Sequence, residues 1–281
     1  MYRSFSEQVK QQKTAPKQKT DYFPWFMLAT GVCGFATLNF MNDNSFTPDS
    51  QQTKADATSI DHDAGDKLTP LVQDRIGKTF GWLGYGILTT STVVGRMRHN
   101  FYWQKFHPVV WFTFAMIAFA NAYHLDYNEM FIPKVAAFTC FTGFMGMMIL
   151  PIVMQASASL AADAALITGA SMMGLAGIAY VAPSETYLST KGPLTFASML
   201  LMMASSYSVM WPASRAIYNS WLVCGTVITS AMVMYHSQEI LHEAKTAEYY
   251  DPLGSCISLY LDGLRLFVFI LSLLENNDTK K

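Results

Sequence analysis

The chain contains little charge and few cysteines. Only 14% of its 281 residues are charged and 51% are apolar, whereas roughly a quarter of a soluble globular domain is charged. The four cysteines lie in apolar stretches without CxxC spacing, which argues against a disulfide framework or a zinc site. No nucleophile or metal triad is recognisable, so we predict neither an enzyme nor a bound cofactor. The net charge of −1 gives no argument for nucleic acid, and no nucleic-acid partner is predicted.

The long apolar stretches instead predict an all-α membrane protein whose partner is the lipid bilayer. Eight stretches are near the ~20 residues that cross the hydrocarbon core. Their ranges are 22–41, 79–95, 108–123, 135–154, 164–182, 192–214, 216–235 and 255–274. Small residues are predicted to let helices approach closely at two places, Gly77 and Gly81 in one helix and Gly169, Gly174 and Gly177 in another.

The polar segments divide the chain into five parts. These parts are a basic tail 1–21, an extra transmembrane helix 22–41, a polar acidic linker 42–78, a seven-helix domain 79–274 and a tail 275–281. The tail 1–21 lacks the apolar core of a secretory signal. Its basic character is compatible with mitochondrial import and equally with a soluble tail.

The basic residues predict the orientation. An even number of spans puts both termini on one side of the membrane. That side collects eleven Lys and Arg residues and the other side seven, and the loop from Arg96 to His107 has three basic residues and no acid. Because positive residues favour the cytoplasm-like side, both termini are predicted to face the cytoplasm or the matrix.

One predicted span carries charge. Asp262 and Arg265 lie inside the stretch Ser255 to Leu274, and the other seven stretches have no charged residue. A charge at that depth costs several kcal/mol unless it is paired or faces water. Residues at i and i+3 of a helix are neighbours, so a buried Asp262–Arg265 ion pair is predicted.

The seventh span carries a polar stripe. With 100° per residue, six side chains fall within about 120°: Asn219, Thr226, Thr229, Ser230, His236 and Ser237. Two interpretations stay open, hydrogen bonding to a neighbouring helix and one wall of a polar cavity.

The stripe continues into the sequence HSQEILHE, which places Glu239 and Glu243 on the same face as His236. The spacing matches neither HExxH nor HxxEH, so no metal is predicted. A helix end at the membrane surface with solvated charges explains it better.

Several short motifs together carry a family resemblance. They are Ala182-Pro183-Ser184-Glu185 with Leu188, Gly192-Pro193-Leu194, Tyr235-His236-Ser237-Gln238, Tyr250-Asp251-Pro252, and Tyr260-Leu261-Asp262-Gly263-Leu264 with Phe267. The chain resembles the transmembrane BAX inhibitor motif family from about residue 70 onward, and is most similar to its mitochondrial growth-hormone-inducible branch. The resemblance implies a seven-helix BAX-inhibitor-type bundle with one added N-terminal helix, a place in the mitochondrial inner membrane, and roles in calcium and proton exchange and cristae organisation. With the orientation predicted from the basic residues, both termini would then face the matrix.

The family mechanism implied by this resemblance uses two aspartates that share a proton as a gate. Asp262 stands at the second position, but His236 stands at the first, and Arg265 replaces a neutral polar residue. The resemblance implies calcium and proton permeation, whereas these departures suggest a derivative in which that chemistry is altered or lost. The alternative is a structural accessory subunit, or scaffold, of an inner-membrane respiratory complex, whose other subunits would then be partners.

Overall fold

The computed structural model describes residues 69–98, 108–183, 187–210 and 215–278. Within these ranges the chain forms seven α-helices, one short 3-10 turn at Leu188–Thr190 and no β-strand. The helices are α1 (Pro70–Met97), α2 (Pro108–His124), α3 (Phe131–Gln155), α4 (Ala158–Val181), α5 (Lys191–Met210), α6 (Arg215–Thr246) and α7 (Pro252–Asp278). Each coincides with one of the seven spans predicted after residue 78, which confirms an all-α bundle. The predicted helix 22–41, the tail 1–21 and most of the loop 96–107 lie outside the described residues.

Local sequence explains where several helices begin. Proline is the first residue of α1, α2 and α7, where its fixed φ fits and its missing N–H costs nothing. Ser157 caps α4 by accepting a hydrogen bond from the Leu160 N–H at 3.2 Å. Because α1 starts at Pro70, residues 70–78 of the predicted linker 42–78 are helical. Similarly, α6 continues eleven residues beyond the predicted span 216–235.

The last helix, α7, lies at the centre of the bundle and packs against α1, α4 and α6. Its Tyr260 hydroxyl lies 2.6 Å from the Thr90 hydroxyl of α1. The Tyr260 ring also packs edge-on against Phe138 and Phe141 of α3, and all three side chains are fully buried. The site identified from the sequence is therefore located on the helix that holds the others together.

Glycine allows close packing at positions other than those predicted. A Cβ at Gly225 of α6 would overlap the Phe269 ring of α7, and a Cβ at Gly263 of α7 would lie 2.7 Å from the Met172 sulfur of α4. By contrast, no described atom outside the glycine's own stretch of helix lies within 4 Å of a Cβ built on the five glycines predicted to mediate close approach, Gly77, Gly81, Gly169, Gly174 and Gly177. Among the described helices these glycines mediate no close approach, because small-residue spacing shows where approach is possible, while the burial of each helix face decides where it happens.

The outer surface of the bundle is apolar. Leu88, Leu166, Met173 and Val181 are each more than 60% exposed, which suits contact with lipid chains. Of the described helices, Phe131–Gln155, Ala158–Val181 and the segment Pro252–Asn276 are long and apolar enough to cross a membrane. The chain is thus a helical membrane protein.

Candidate functional site

Asp262 lies deep inside the bundle, where it is 1% exposed. It is ten residues from the start of α7 at Pro252, which corresponds to about 15 Å at 1.5 Å per residue. That depth is roughly half of the ~30 Å hydrocarbon core. A carboxyl group in this position needs partners to stay charged.

Both oxygens of Asp262 have a basic neighbour. Oδ2 lies 2.5 Å from Nδ1 of His236 on α6, and Oδ1 lies 3.6 Å from Nη1 of Arg265, one turn along α7. Because a carboxylate only accepts hydrogen bonds, Nδ1 of His236 carries the proton in this contact. The three residues, which we call the inner cluster, are the ones that the sequence singled out. His236 makes the closer contact, although the sequence argument gave more weight to Arg265.

The second ring nitrogen of His236 is unusual. Nε2 is buried and has no hydrogen-bond partner among the described residues. Oε2 of Glu239, one turn along α6, lies 4.0 Å from it. Glu239 accepts a hydrogen bond from the Tyr235 hydroxyl at 2.7 Å and lies 3.9 Å from the Lys191 ammonium. A line of charged groups therefore runs from the inner cluster toward the end of the bundle where α1 begins and α6 ends, which we call the proximal end.

The expectation of solvated charges in the segment HSQEILHE was wrong for both of its acids. The Glu239 side chain is 14% exposed, and the uncharged Gln238 beside it is 2% exposed. Glu243 is partly buried and accepts a hydrogen bond from Ser255 of α7 at 2.7 Å. The physical reason is that α6 continues as one helix past residue 235, so this segment packs against α7 and α1 instead of emerging into water.

The rest of the polar stripe is used in local hydrogen bonds. The hydroxyls of Thr226 and Ser237 donate to the carbonyl oxygens of Leu222 and Val233 in their own helix. Asn219 accepts a hydrogen bond from Asn276 of α7. Thr229 is buried and Ser230 is half-buried. Of these three contacts, only that of Asn219 fits the predicted hydrogen bonding to a neighbouring helix, since Thr226 and Ser237 bond within α6.

The structure contains a further buried charged residue, Lys134, that was not predicted from the sequence. Lys134, in the first turn of α3, is 2% exposed, and its ammonium donates to Asp251 at 2.5 Å and to the Leu125 carbonyl at 2.6 Å. The other oxygen of Asp251 accepts from the Leu253 N–H at the start of α7. We call Lys134 and Asp251 the outer pair. Lys134 was overlooked because it directly precedes the predicted span 135–154 and was counted as a loop cation.

Several motif residues have structural roles at the proximal end. The side-chain amide of Gln238 accepts from the Tyr187 N–H at 2.8 Å and donates to the Pro183 carbonyl at 3.1 Å, which fixes the chain beyond α4. The Tyr250 hydroxyl lies 2.6 Å from the Thr79 hydroxyl. Burial raises the pKa of Tyr250, so its hydroxyl remains neutral and able to donate.

Comparison with known proteins identifies the family. The model of the family described as "Inhibitor of apoptosis-promoting Bax1" matches residues 72–279. The chain belongs to this family. It is also 27% identical over 226 residues to growth hormone-inducible transmembrane protein of Rattus norvegicus, a match that covers 75% of this chain and 65% of the rat protein. The family resemblance seen in the motifs is thereby confirmed, and the match includes all the helices described above except the first two residues of α1.

Proposed function

We propose that this member of the BAX inhibitor family is a pH-sensitive permeation protein that moves protons and carries little calcium. The main support is the 2.5 Å contact between His236 Nδ1 and Asp262 Oδ2, which joins α6 to α7 in the middle of the bundle. In the mechanism implied by the family resemblance, two carboxylates share a proton at these positions. Here an imidazole and a carboxylate take their place.

The balance of charge argues against calcium. Calcium prefers about six to eight oxygen ligands and carries two positive charges. Asp262 lies 3.6 Å from Arg265, and Glu239 lies 3.9 Å from Lys191. Two carboxylates therefore face two fixed cations, so these two acids have no unbalanced negative charge to offer a divalent cation. A single proton fits such a site better than a divalent cation.

The imidazole also sets the direction of the pH response. A doubly protonated His236 is a cation, and it attracts the Asp262 carboxylate more strongly than a neutral ring does. Acid conditions therefore hold α6 against α7, and loss of the proton loosens this contact. We expect permeation to increase as the pH rises and His236 loses its second proton.

Reconstitution of the full chain in liposomes tests this proposal. An internal pH dye should report proton flux above that of protein-free liposomes, and Asp262→Asn should lower it at least tenfold. A calcium dye should report entry near the protein-free level. The matched control is Asp74→Asn, which removes an exposed acid paired with Lys78 outside the cluster and should leave proton flux unchanged. Robust calcium entry that depends on pH and is abolished by Asp262→Ala would contradict the proposal.

We also propose residence in the mitochondrial inner membrane with both termini in the matrix. The family resemblance, the even number of predicted spans and the basic loop 96–107 support this topology. Protease added to mitoplasts should spare tags on both termini and cut the linker 42–74. Loss of the terminal tags with an intact linker would mean that the orientation is reversed.

A structural role as an accessory subunit of a respiratory complex is the second candidate. It is favoured by the neutralisation of Asp262 inside the inner cluster, because no transported ion is needed to balance its charge. In that case the native chain would show neither proton nor calcium flux, and it would comigrate with a respiratory assembly on native gels.

A further inference from the structure

Glu239 is the acid that links the inner cluster to the proximal end. It lies one turn along α6 from His236, and its side chain is 14% exposed, compared with 2% for Asp262. Its Oε1 is held by the Tyr235 hydroxyl at 2.7 Å, which leaves Oε2 directed toward His236 Nε2 at 4.0 Å. Glu239 is therefore the less buried of the two carboxyl groups on either side of the imidazole.

His236 presents one nitrogen to each of these carboxyl groups. Nδ1 is bonded to Asp262, whereas Nε2 has no hydrogen-bond partner among the described residues. Buried polar atoms are nearly always bonded, so an unpaired one requires an explanation. At 4.0 Å, one bridging water or a small rotation of Glu239 would complete a hydrogen-bonded path.

We propose that Glu239, His236 and Asp262 form a proton relay that is entered at Glu239 from the proximal end. This inference rests on the proton permeation proposed above and assigns its route. It adds Glu239, a residue outside the predicted gate, and it assigns a role to the Nε2 atom of His236, which has no hydrogen-bond partner among the described residues.

The transfer is balanced in protons and charge. A proton leaves the Glu239 carboxyl group and binds to Nε2 of His236, while the proton on Nδ1 passes to the Asp262 carboxylate. Glu239 ends as a carboxylate, Asp262 as a carboxylic acid and His236 as the other neutral tautomer. Three further steps restore the starting state. Asp262 releases its proton away from the proximal end, Glu239 takes up a new proton from the proximal end, and His236 returns to its first tautomer by giving the Nε2 proton to water and accepting one from water at Nδ1.

The charged groups around His236 are consistent with this route. Asp262 and Arg265 act on it from α7, and Glu239 and Glu243 act on it from α6. Glu243 is seven residues from His236 and its carboxylate is held by Ser255 at 2.7 Å, so it lies off the relay.

Chemical rescue distinguishes proton transfer from a structural role. In liposomes containing the full chain, Glu239→Ala should lower proton flux at least tenfold, and added formate should restore it to within a few-fold of native. Glu239→Gln, which keeps the size of the side chain, should be equally impaired. The double variant Glu239→Ala with Asp262→Asn measures the proton leak due to formate alone and should show no rescue. Glu243→Gln is the matched control and should conduct like the native chain.

The outcomes separate the two proposals. Native flux in Glu239→Ala, a loss that formate does not restore, or an equal loss in Glu243→Gln would overturn the relay and leave proton permeation standing. A native chain without proton flux would overturn both. Melting temperatures of all variants within a few degrees of native are needed to attribute a loss of flux to proton transfer.

Discussion

The outer pair and the inner cluster are two buried charged sites that differ in how completely their atoms are bonded. In the outer pair, Lys134 has two acceptors, and Asp251 uses one oxygen for Lys134 and the other for the first turn of α7. In the inner cluster, the Asp262–Arg265 contact is 3.6 Å long and Nε2 of His236 has no hydrogen-bond partner among the described residues.

This difference separates a structural role from a functional one. A buried ion pair whose atoms are all bonded fixes the ends of helices, because any movement breaks several hydrogen bonds at once. A site that can still bind a proton changes its charge when it does so. The attraction between the two helices that carry the site then changes as well. The comparison can be tested by breaking each site separately.

The largest expected effect comes from breaking the outer pair. Asp251→Ala leaves the Lys134 cation buried without its carboxylate and should lower the free energy of unfolding by about 3–5 kcal/mol. Lys134→Met should cost less, because the Asp251 side chain is 37% exposed and water can solvate it. Thermal unfolding in detergent measures the loss in each variant. Asp74→Asn is the control and should not shift the melting temperature. Equal losses of unfolding free energy in Asp251→Ala and Lys134→Met would contradict the expectation that the buried lysine is the more costly residue to leave without its partner.

Asp262→Asn should have a smaller effect on stability. His236 can still donate to the asparagine oxygen, so the expected loss is about 1.5–3 kcal/mol, typical of a hydrogen bond to a charged group. The double variant Asp262→Asn with Arg265→Gln should recover much of it, since no unbalanced charge remains. A double variant as unstable as the sum of the two single ones would mean that Asp262 and Arg265 do not interact.

Restoring two carboxylates should change transport. His236→Asp together with Arg265→Asn recreates the pair of acids implied by the family mechanism and removes a fixed cation. We expect calcium entry into liposomes to rise about tenfold, which corresponds to about 1.4 kcal/mol, and to depend on pH. Unchanged calcium entry in a folded double variant would show that charge at these positions does not exclude calcium.

The smallest expected effect concerns a neutral contact on the same helix. Tyr260→Phe removes the hydroxyl that lies 2.6 Å from Thr90 and should cost about 1 kcal/mol of unfolding free energy. Tyr85→Phe removes a comparable contact to Thr139 at the exposed surface and serves as the control. An equal loss of unfolding free energy in Tyr260→Phe and Asp251→Ala would show that the larger contribution expected of the outer pair does not come from its charge.

Much of the fold was predictable because membrane spans depend on length and polarity. Each of the seven described helices contains most of its predicted span, and Asp262, His236 and Arg265 were singled out before their contacts were known. Helix ends were less accurate, since charged residues at a span boundary can belong to loop or helix. Lys134 illustrates this, because its partner Asp251 is 117 residues away in the chain and no local pattern reports it.

The role of Glu239 was also beyond the sequence. Its spacing from His236 placed both residues on one face, and the sequence favoured a solvated helix end. Only the packing of α6 against α7 shows that the Glu239 side chain is largely removed from water, and the proposed relay depends on that packing. The sequence offered one indication of this role, because Glu239 lies one turn from His236, which stands at the first position of the predicted gate.

The contacts that close the bundle have a consequence for its biogenesis. The Arg75 guanidinium in α1 donates to the Ala244 and Ala247 carbonyls, which follow it by 169 and 172 residues. At about 5–20 residues per second, α1 waits roughly 10–30 s after synthesis before these acceptors exist. During that interval the Arg75 guanidinium has neither of these acceptors. Closure of the bundle around α1 therefore waits for the end of α6, and truncation before Ala244 should leave α1 more susceptible to proteolysis than it is in the full chain.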